Sequence, residues 1–293
     1  MRILLTNDDG IRAPGIIAMH DALLDADRRG PGIVGGLDST IHTIAPLHVQ
    51  SATGHGVTFH KPLMVSEMQV TPSFGGTAVD GRPADCVKVA VSTLWPDRFG
   101  RGQRPDLIIS GMNAGANVGV NVIYSGTVAA AIEGAFLGVP SIAVSLHLGK
   151  SKPRFDVAAA RARHVIDLIL KGGLPEKHEC LSINIPITEG AGPMPPIRVC
   201  PQNVHGLVDS YEKRVNPINE TYYWAAGHGL DFHNTDEGTD VDWLMRRCIT
   251  VTPLKYDLTQ HETLMKWTRR LPEPADGTKG YVADTPSPLD QGD

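Results

Sequence analysis

The chain has 293 residues and a formal net charge of −5, long enough for one large α/β domain or two smaller ones and without electrostatic drive toward nucleic acid. No apolar run approaches the roughly 20 residues of a membrane span. Cys86, Cys180, Cys200 and Cys248 are far apart and never in Cys-x-x-Cys pairs, so they read as reduced, mostly buried thiols of a cytoplasmic protein, not as a disulfide framework or a zinc site.

In chain order, Ile3, Leu4 and Leu5 form a short apolar run that ends in Asn7, Asp8, Asp9 and Gly10. A buried parallel strand reads this way where it surfaces at its carboxyl end, and Ile3–Thr6 running straight into charged residues reads as a strand, not a secretory leader. Adjacent carboxylates there repel unless a cation or donor cluster neutralises them, and a hard, oxygen-preferring divalent ion is the simplest partner. The alternative is a solvated Asp-Gly turn.

Pro14 and Gly15 open a helix with Ile16, His20, Leu23 and Leu24 on one face, ending in the Gly- and Pro-rich Arg28–Gly36 stretch. Ile41–Ala45 reads as a strand closed by Pro46. Leu47–Thr58 has no periodicity and is rich in Ser, Thr, Gly and His, a loop long enough to suggest a task. Phe74–Val79 reads as a strand, Pro83 starts a helix carrying Val87, Ala90, Val91 and Leu94, and Pro96–Pro105 reads as a linker. A second buried strand, Leu107–Ile109, exits into Ser110-Gly111-Met112-Asn113.

At Ser125-Gly126-Thr127 a small-residue helix begins, which Gly138 stops before a strand at Ser141–Leu146. A helix near Phe155–Leu170 and a strand near Leu181–Ile185 continue the alternation, which implies a mostly parallel, doubly wound sheet. After Pro186 the pattern breaks. Residues 187–247 are rich in Pro, Gly, Asn and Asp, with a strand at Glu220–Trp224. Cys248–Val251 reads as a last strand, Leu258–Leu271 as a terminal helix, and the polar tail from Pro272 as disordered.

Several residues have two readings. Asn113 is a turn residue, or an amide ligand converging with Asp8 and Asp9 if the two strands are neighbours. Ser125-Gly126-Thr127 is an ordinary N-cap, or a phosphate site using unpaired N–H groups and the positive end of the helix dipole. It is not a Walker loop, and no Gly-x-Gly-x-x-Gly follows the first strand. His55, in a Gly-flanked loop, is a candidate to protonate a leaving oxygen. Asp85 reads as a capping carboxylate.

Ile3–Pro14 (ILLTNDDGIRAP), Ser51–His55 (SATGH), Pro83–Val87 (PADCV), Ser110–Asn117 (SGMNAGAN), Tyr124–Ala129 (YSGTVA), Glu133-Gly134 and Pro140–Ser145 (PSIAVS) together resemble the SurE (survival protein E) family of metal-dependent nucleoside-monophosphate phosphatases. Weaker matches at Tyr222–Trp224, Gly238-Thr239-Asp240 and Val251–Leu258 extend the resemblance over nearly the whole chain.

The resemblance implies a Rossmann-like three-layer α/β/α sandwich with a protruding β-hairpin and a C-terminal arm. It divides the chain into a phosphatase core (1–186), a loop-rich hairpin region (187–247) and a C-terminal strand, arm and tail (248–293). It implies one divalent ion per subunit, Mg²⁺ or Mn²⁺, on Asp8, Asp9, Ser51 and Asn113. Asn117, Ser125, Gly126 and Thr127 would hold the phosphate of a nucleoside monophosphate, and hairpin and arm contacts would give a homodimer or homotetramer. Asp8, Asp9, Asn117 and His55 are the expected catalytic residues, with Asp8 either a ligand alone or also base or nucleophile. A 5′- or 3′-phosphate, and polyphosphate, remain open as substrates. The rival reading is a non-catalytic nucleotide sensor on the same sheet edge.

The chain departs from the family at Leu47-His48, where Asp-Arg or Asp-Lys is usual, at Gly56 for Ser and at Arg82 for Thr. It departs again at Val120-Asn121 for an acidic pair, and in a longer connection around Arg28–Asp38. None of these is an expected metal ligand; they bear on substrate preference and loop conformation.

Overall fold

A computed structural model describes residues 1–24, 40–226 and 229–271. The Arg28–Gly36 stretch, the longer connection around it and the tail from Pro272 lie outside the described residues. The elements, in chain order, are β1 (Arg2–Thr6), α1 (Pro14–Leu24), β2 (Thr40–Pro46), β3 (Val65–Thr71), β4 (Phe74–Val79), α2 (Pro83–Val89), α3 (Trp95–Phe99) and β5 (Leu107–Ala114). They continue with α4 (Gly126–Phe136), β6 (Ser141–Leu146), α5 (Phe155–Lys171), β7 (Cys180–Ile185), β8 (Ile197–Val199), β9 (Ser210–Val215) and β10 (Thr221–Ala226). The last are α6 (Asp240–Met245), β11 (Ile249–Leu254) and α7 (His261–Arg270).

Nine strands form one sheet in the order β3-β4-β2-β1-β5-β6-β7-β11-β8. The pairings are parallel except β3 with β4 and β11 with β7. β1 shows why the sheet is covered on both faces. Ile3 and Leu5 join the cluster formed with α1 and α5, whereas Leu4 joins the cluster formed with α2 and α4. Successive side chains of a strand point to opposite faces, so a strand apolar at every position needs a layer on each side. That is the expected three-layer sandwich. β9 and β10 pair antiparallel in a separate two-stranded sheet, the expected hairpin.

The chain also divides into two units, Met1–Tyr256 and Asp257–Asp293; the described part of the second carries α7, whose helical residues are all at least partly exposed.

Several local expectations are corrected. Leu24 is 44 % exposed, and Met19 takes the buried place on the inner face of α1. The linker expected from Pro96 is helical through Phe99, because Trp95 is fully buried and carries the helix onward. β5 runs on to Ala114, past a register shift after Ser110. β3 and β8 lack the alternation that marks a half-buried strand, so no sequence pattern marks them; β3 is an edge strand with both faces largely exposed.

β1 lies between β2, wound to one side, and β5, wound to the other, with Thr6, the last residue of β1, opposite Ser110. Open α/β sheets bind ligands in the crevice at such a reversal. α1 reaches this edge closely: a Cβ on Gly15 would lie 2.0 Å from the Met112 carbonyl oxygen.

Candidate functional site

β1 delivers Asn7, Asp8 and Asp9 to the switch point. The Asn7 side-chain amide donates to the Gly10 carbonyl at 2.9 Å and fixes the exit turn. Gly10 has φ +92° and sits against the backbone of Pro46 and His48, where a larger residue would be strained. Asp8 is 4 % exposed and accepts a short hydrogen bond from the Thr127 hydroxyl, with the Thr127 N–H adding a second. Burial, offset in part by these donors and increased by neighbouring Asp9, raises the Asp8 pKa from 3.8 to about 6. The Asp9 carboxyl is also raised by burial, against the Ala114 N–H that donates to it at 2.9 Å.

α4 starts beneath this pair. Ser125 caps it, its hydroxyl oxygen accepting from the Val128 N–H at 3.1 Å. Gly126 is dictated by proximity, since a Cβ there would lie 2.8 Å from the Asp8 Cβ. The helix start therefore holds the Asp8 carboxylate directly.

A cavity of about 370 Å³ opens at this edge, and Asp8, Ser51, Asn113, Asn117 and Ser125 line it. The expected neighbourhood of β1 and β5 brings these side chains together. The Asn113 Nδ2 donates to the Gly115 carbonyl at 2.9 Å, so its oxygen is the atom of that amide that could face a cation. Asn117 is 7 % exposed and held on three sides. Its N–H donates to Asn184 Oδ1 at 2.8 Å, its carbonyl accepts from Asn184 Nδ2 at 3.1 Å, and its own Nδ2 donates to Ser145 Oγ at 2.8 Å. An amide nitrogen has two hydrogens, so one remains for a ligand.

Asp9, Gly126 and Thr127 are not among the lining residues: Asp9 accepts from the Ala114 N–H, Gly126 packs against Asp8 and Thr127 is bonded to it. His55 is not among the lining residues either. Its Nε2 lies 2.7 Å from Glu133 Oε2, and Lys88 Nζ donates to the other Glu133 oxygen at 3.0 Å. Glu133 is 5 % exposed; burial alone would raise its pKa, but the hydrogen bonds from His55 and Lys88 outweigh it and lower the pKa. Asp85 also holds the loop, accepting from the N–H and the hydroxyl of Thr58 at 2.8 and 2.6 Å and from the Arg82 N–H at 2.9 Å.

Sequence reasoning missed Ser145 and Asn184, the residues that orient Asn117, although both are polar positions near the carboxyl ends of buried strands β6 and β7. It also missed His147, which lines the cavity and whose Nδ1 is buried without a hydrogen bond among the described residues. Burial, with Arg247 nearby, lowers the His147 pKa, so the ring is neutral near pH 7. Asp240 accepts from Gly119 and Asn203 N–H groups at 2.9 and 2.8 Å and pins the turn after Asn117.

Fold and cavity together define an open α/β protein with an oxygen-rich ligand site at the sheet's switch point, suited to a hard cation and an anion side by side. The family model "Survival protein SurE" matches residues 3–207. A protein of Desulforudis audaxviator named 5′-nucleotidase SurE is 41 % identical over 273 residues, spanning 91 % of this chain and 97 % of that protein. One of the same name from Syntrophobacter fumaroxidans is 39 % identical over 91 % of this chain and 99 % of that protein. The crystal structure of the SurE protein from Aquifex aeolicus superposes with a TM-score of 0.72 at 31 % identity, covering 92 % of this chain and 99 % of that one. The chain belongs to the SurE family.

Among the described residues no helix is long and apolar enough to cross a membrane, and all four cysteines are buried and free.

Proposed function

We propose that this chain is a metal-dependent phosphomonoesterase that releases phosphate from nucleoside monophosphates. The observation that carries the reading is the buried Asp8 carboxylate, held on the start of α4 and opening into a cavity with Ser51, Asn113, Asn117 and Ser125. The names of the relatives, 5′-nucleotidase SurE, support the substrate class.

The residues fit a divalent cation. Asp8, Asp9, Ser51 and Asn113 offer oxygen donors alone, as Mg²⁺ and Mn²⁺ favour, and a buried carboxyl raised to about 6 beside a second carboxylate is one that a cation would return to its charged form. Such an ion would supply Lewis-acid charge for the phosphoryl oxygens and activate the attacking water.

The chain's own groups do the positioning. Thr127 fixes the rotamer of Asp8, so that carboxylate needs no reorganisation when substrate arrives. Asn117, locked by Asn184 and Ser145, presents its remaining N–H, and Ser125 its hydroxyl hydrogen, to phosphoryl oxygens as their charge grows in the transition state. His55 is not assigned as the acid for the leaving oxygen, because Glu133 engages its Nε2. The cavity lies in the lower part of the range for small-ligand sites, about 300–1,000 Å³, which suits one nucleotide.

The test is phosphate release from 5′- and 3′-nucleoside monophosphates and polyphosphate with Mg²⁺, with Mn²⁺ and with EDTA. Metal-dependent release from a 5′-monophosphate is expected. Nucleotide binding without turnover under any metal would support the sensor instead.

A further inference from the structure

A second cleft, of about 410 Å³, lies outside the site just described, and Gln50, Phe59, His60, Lys61, Asp80 and Arg82 are among its lining residues. Its charge runs against that of the molecule. The chain carries a net −5, yet this cleft holds two permanent cations and a histidine against one carboxylate. Neither Lys61 nor Arg82 has an ion-pair partner among the described residues. Cations gathered in a concave, low-dielectric wall focus potential toward anions.

Two features give the cleft a defined shape. Arg82 lies over Gly56 so closely that a Cβ there would meet its Nη1 at 2.0 Å and its Cζ at 2.9 Å. The missing side chain at 56 is what lets the guanidinium lie there, and it makes one arrangement of two departures noted separately in the sequence. Phe59, in contrast, is 78 % exposed, so its ring is largely in solvent at the edge of a charged cleft.

We propose that this cleft is a second binding site, for a nucleotide-like phosphorylated ligand, in which Lys61 and Arg82 take the phosphate and the Phe59 ring stacks on an aromatic base. Arginine and lysine supply charge-assisted donors for phosphate oxygens, and an exposed aromatic face accepts any base by stacking. The cleft shares its backbone with the catalytic cavity. Gln50 lines the cleft, Ser51 lines the cavity, and the Gln50 N–H donates to the Asp8 carbonyl at 2.8 Å. An occupant of the cleft would therefore press on the segment that carries Ser51.

The test is calorimetric titration of the EDTA-treated full chain with AMP, inorganic phosphate and adenosine as separate probes, in the parent, Asp8→Asn, Lys61→Ala/Arg82→Ala and Phe59→Ala proteins. AMP binding that survives Asp8→Asn is expected, weakened about ten- to a hundred-fold by the double variant as two charged contacts are lost. Phe59→Ala is expected to weaken AMP but not inorganic phosphate, and adenosine to bind far more weakly than AMP. AMP affinity unchanged in the double variant overturns the proposal, as does AMP binding lost with Asp8→Asn alone. AMP binding no tighter than inorganic phosphate overturns the role of Phe59. A cleft that binds AMP in a protein that hydrolyses no phosphomonoester leaves this inference standing and sinks the proposed function, so the two fail separately.

Discussion

Replacing Asp8 by Asn is expected to stabilise the metal-free protein while ending its chemistry. Asp8 ordinarily titrates at 3.8, and in the fold burial and Asp9 move it to about 6. The folded state therefore binds the proton more tightly than the unfolded chain. Stability falls as pH rises from the lower value to the higher, and the full penalty is in place above both. At about 1.36 kcal/mol per pH unit the penalty comes to about 3 kcal/mol. Asn keeps an oxygen to accept the Thr127 hydroxyl and removes the charge, although its buried NH₂ gives back about 1 kcal/mol. Urea unfolding in EDTA at pH 8 is then expected to show the variant more stable by about 2 kcal/mol, with the advantage gone by pH 4. Saturating Mn²⁺, which binds the ionised carboxylate, is expected to reverse the order by stabilising the parent alone. A variant less stable than the parent at pH 8 in EDTA, or a difference independent of pH, would refute the reasoning.

Gly126→Ala places a methyl 2.8 Å from the Asp8 Cβ and 3.0 Å from the Pro83 ring, so phosphate release is expected to fall about a hundredfold, measured as kcat for AMP with Mn²⁺. Asn184→Ala removes both bonds that orient the Asn117 backbone and is expected to cost about 2 kcal/mol in urea unfolding, with a lower kcat at little-changed metal affinity. Glu133→Gln removes the carboxylate that holds His55 and Lys88, and is expected to destabilise by about 1–2 kcal/mol at pH 7. Because the Glu133 pKa is lowered in the fold, that contribution is present above the ordinary value of 4.5 and is lost as pH falls through the lowered one, which paired melts at pH 7 and pH 3 would read. Tyr211, Tyr223 and Trp224 on the β9–β10 hairpin are each more than 60 % exposed. If the hairpin carries self-association, Tyr223→Ser/Trp224→Ser is expected to lower the mass in light scattering without changing the metal site.

The parts of this molecule that were legible in the sequence are those where one local rule dominates. Ile3–Leu5 and Ile108–Ile109 are apolar at every position because both faces of the sheet are covered, and their polar exits mark the sheet's carboxyl edge. Ser125 is legible as a cap because its hydroxyl satisfies a helix N–H three residues on. Residues whose role depends on a distant partner were not legible. Thr127 reads as part of a helix start whose amides face a phosphate, and nothing local shows that its hydroxyl is bonded to Asp8, 119 positions away. His55 reads as a free loop imidazole, yet Glu133 holds it from α4. Ser145 and Asn184 look like ordinary strand residues until β5, β6 and β7 are set side by side and both reach Asn117. Gly56 and Arg82 look like unrelated departures until their contact is seen.

The measurement that tests the central claim most directly is Mn²⁺ binding followed by electron paramagnetic resonance, with phosphate release from AMP read on the same samples. One ion per chain is expected in the parent, with the rate rising in step with occupancy, and loss of both in Asp8→Asn. Full phosphate release from a parent protein stripped of metal, or unchanged Mn²⁺ binding by Asp8→Asn, would contradict an Asp8-centred metal site as the seat of the chemistry.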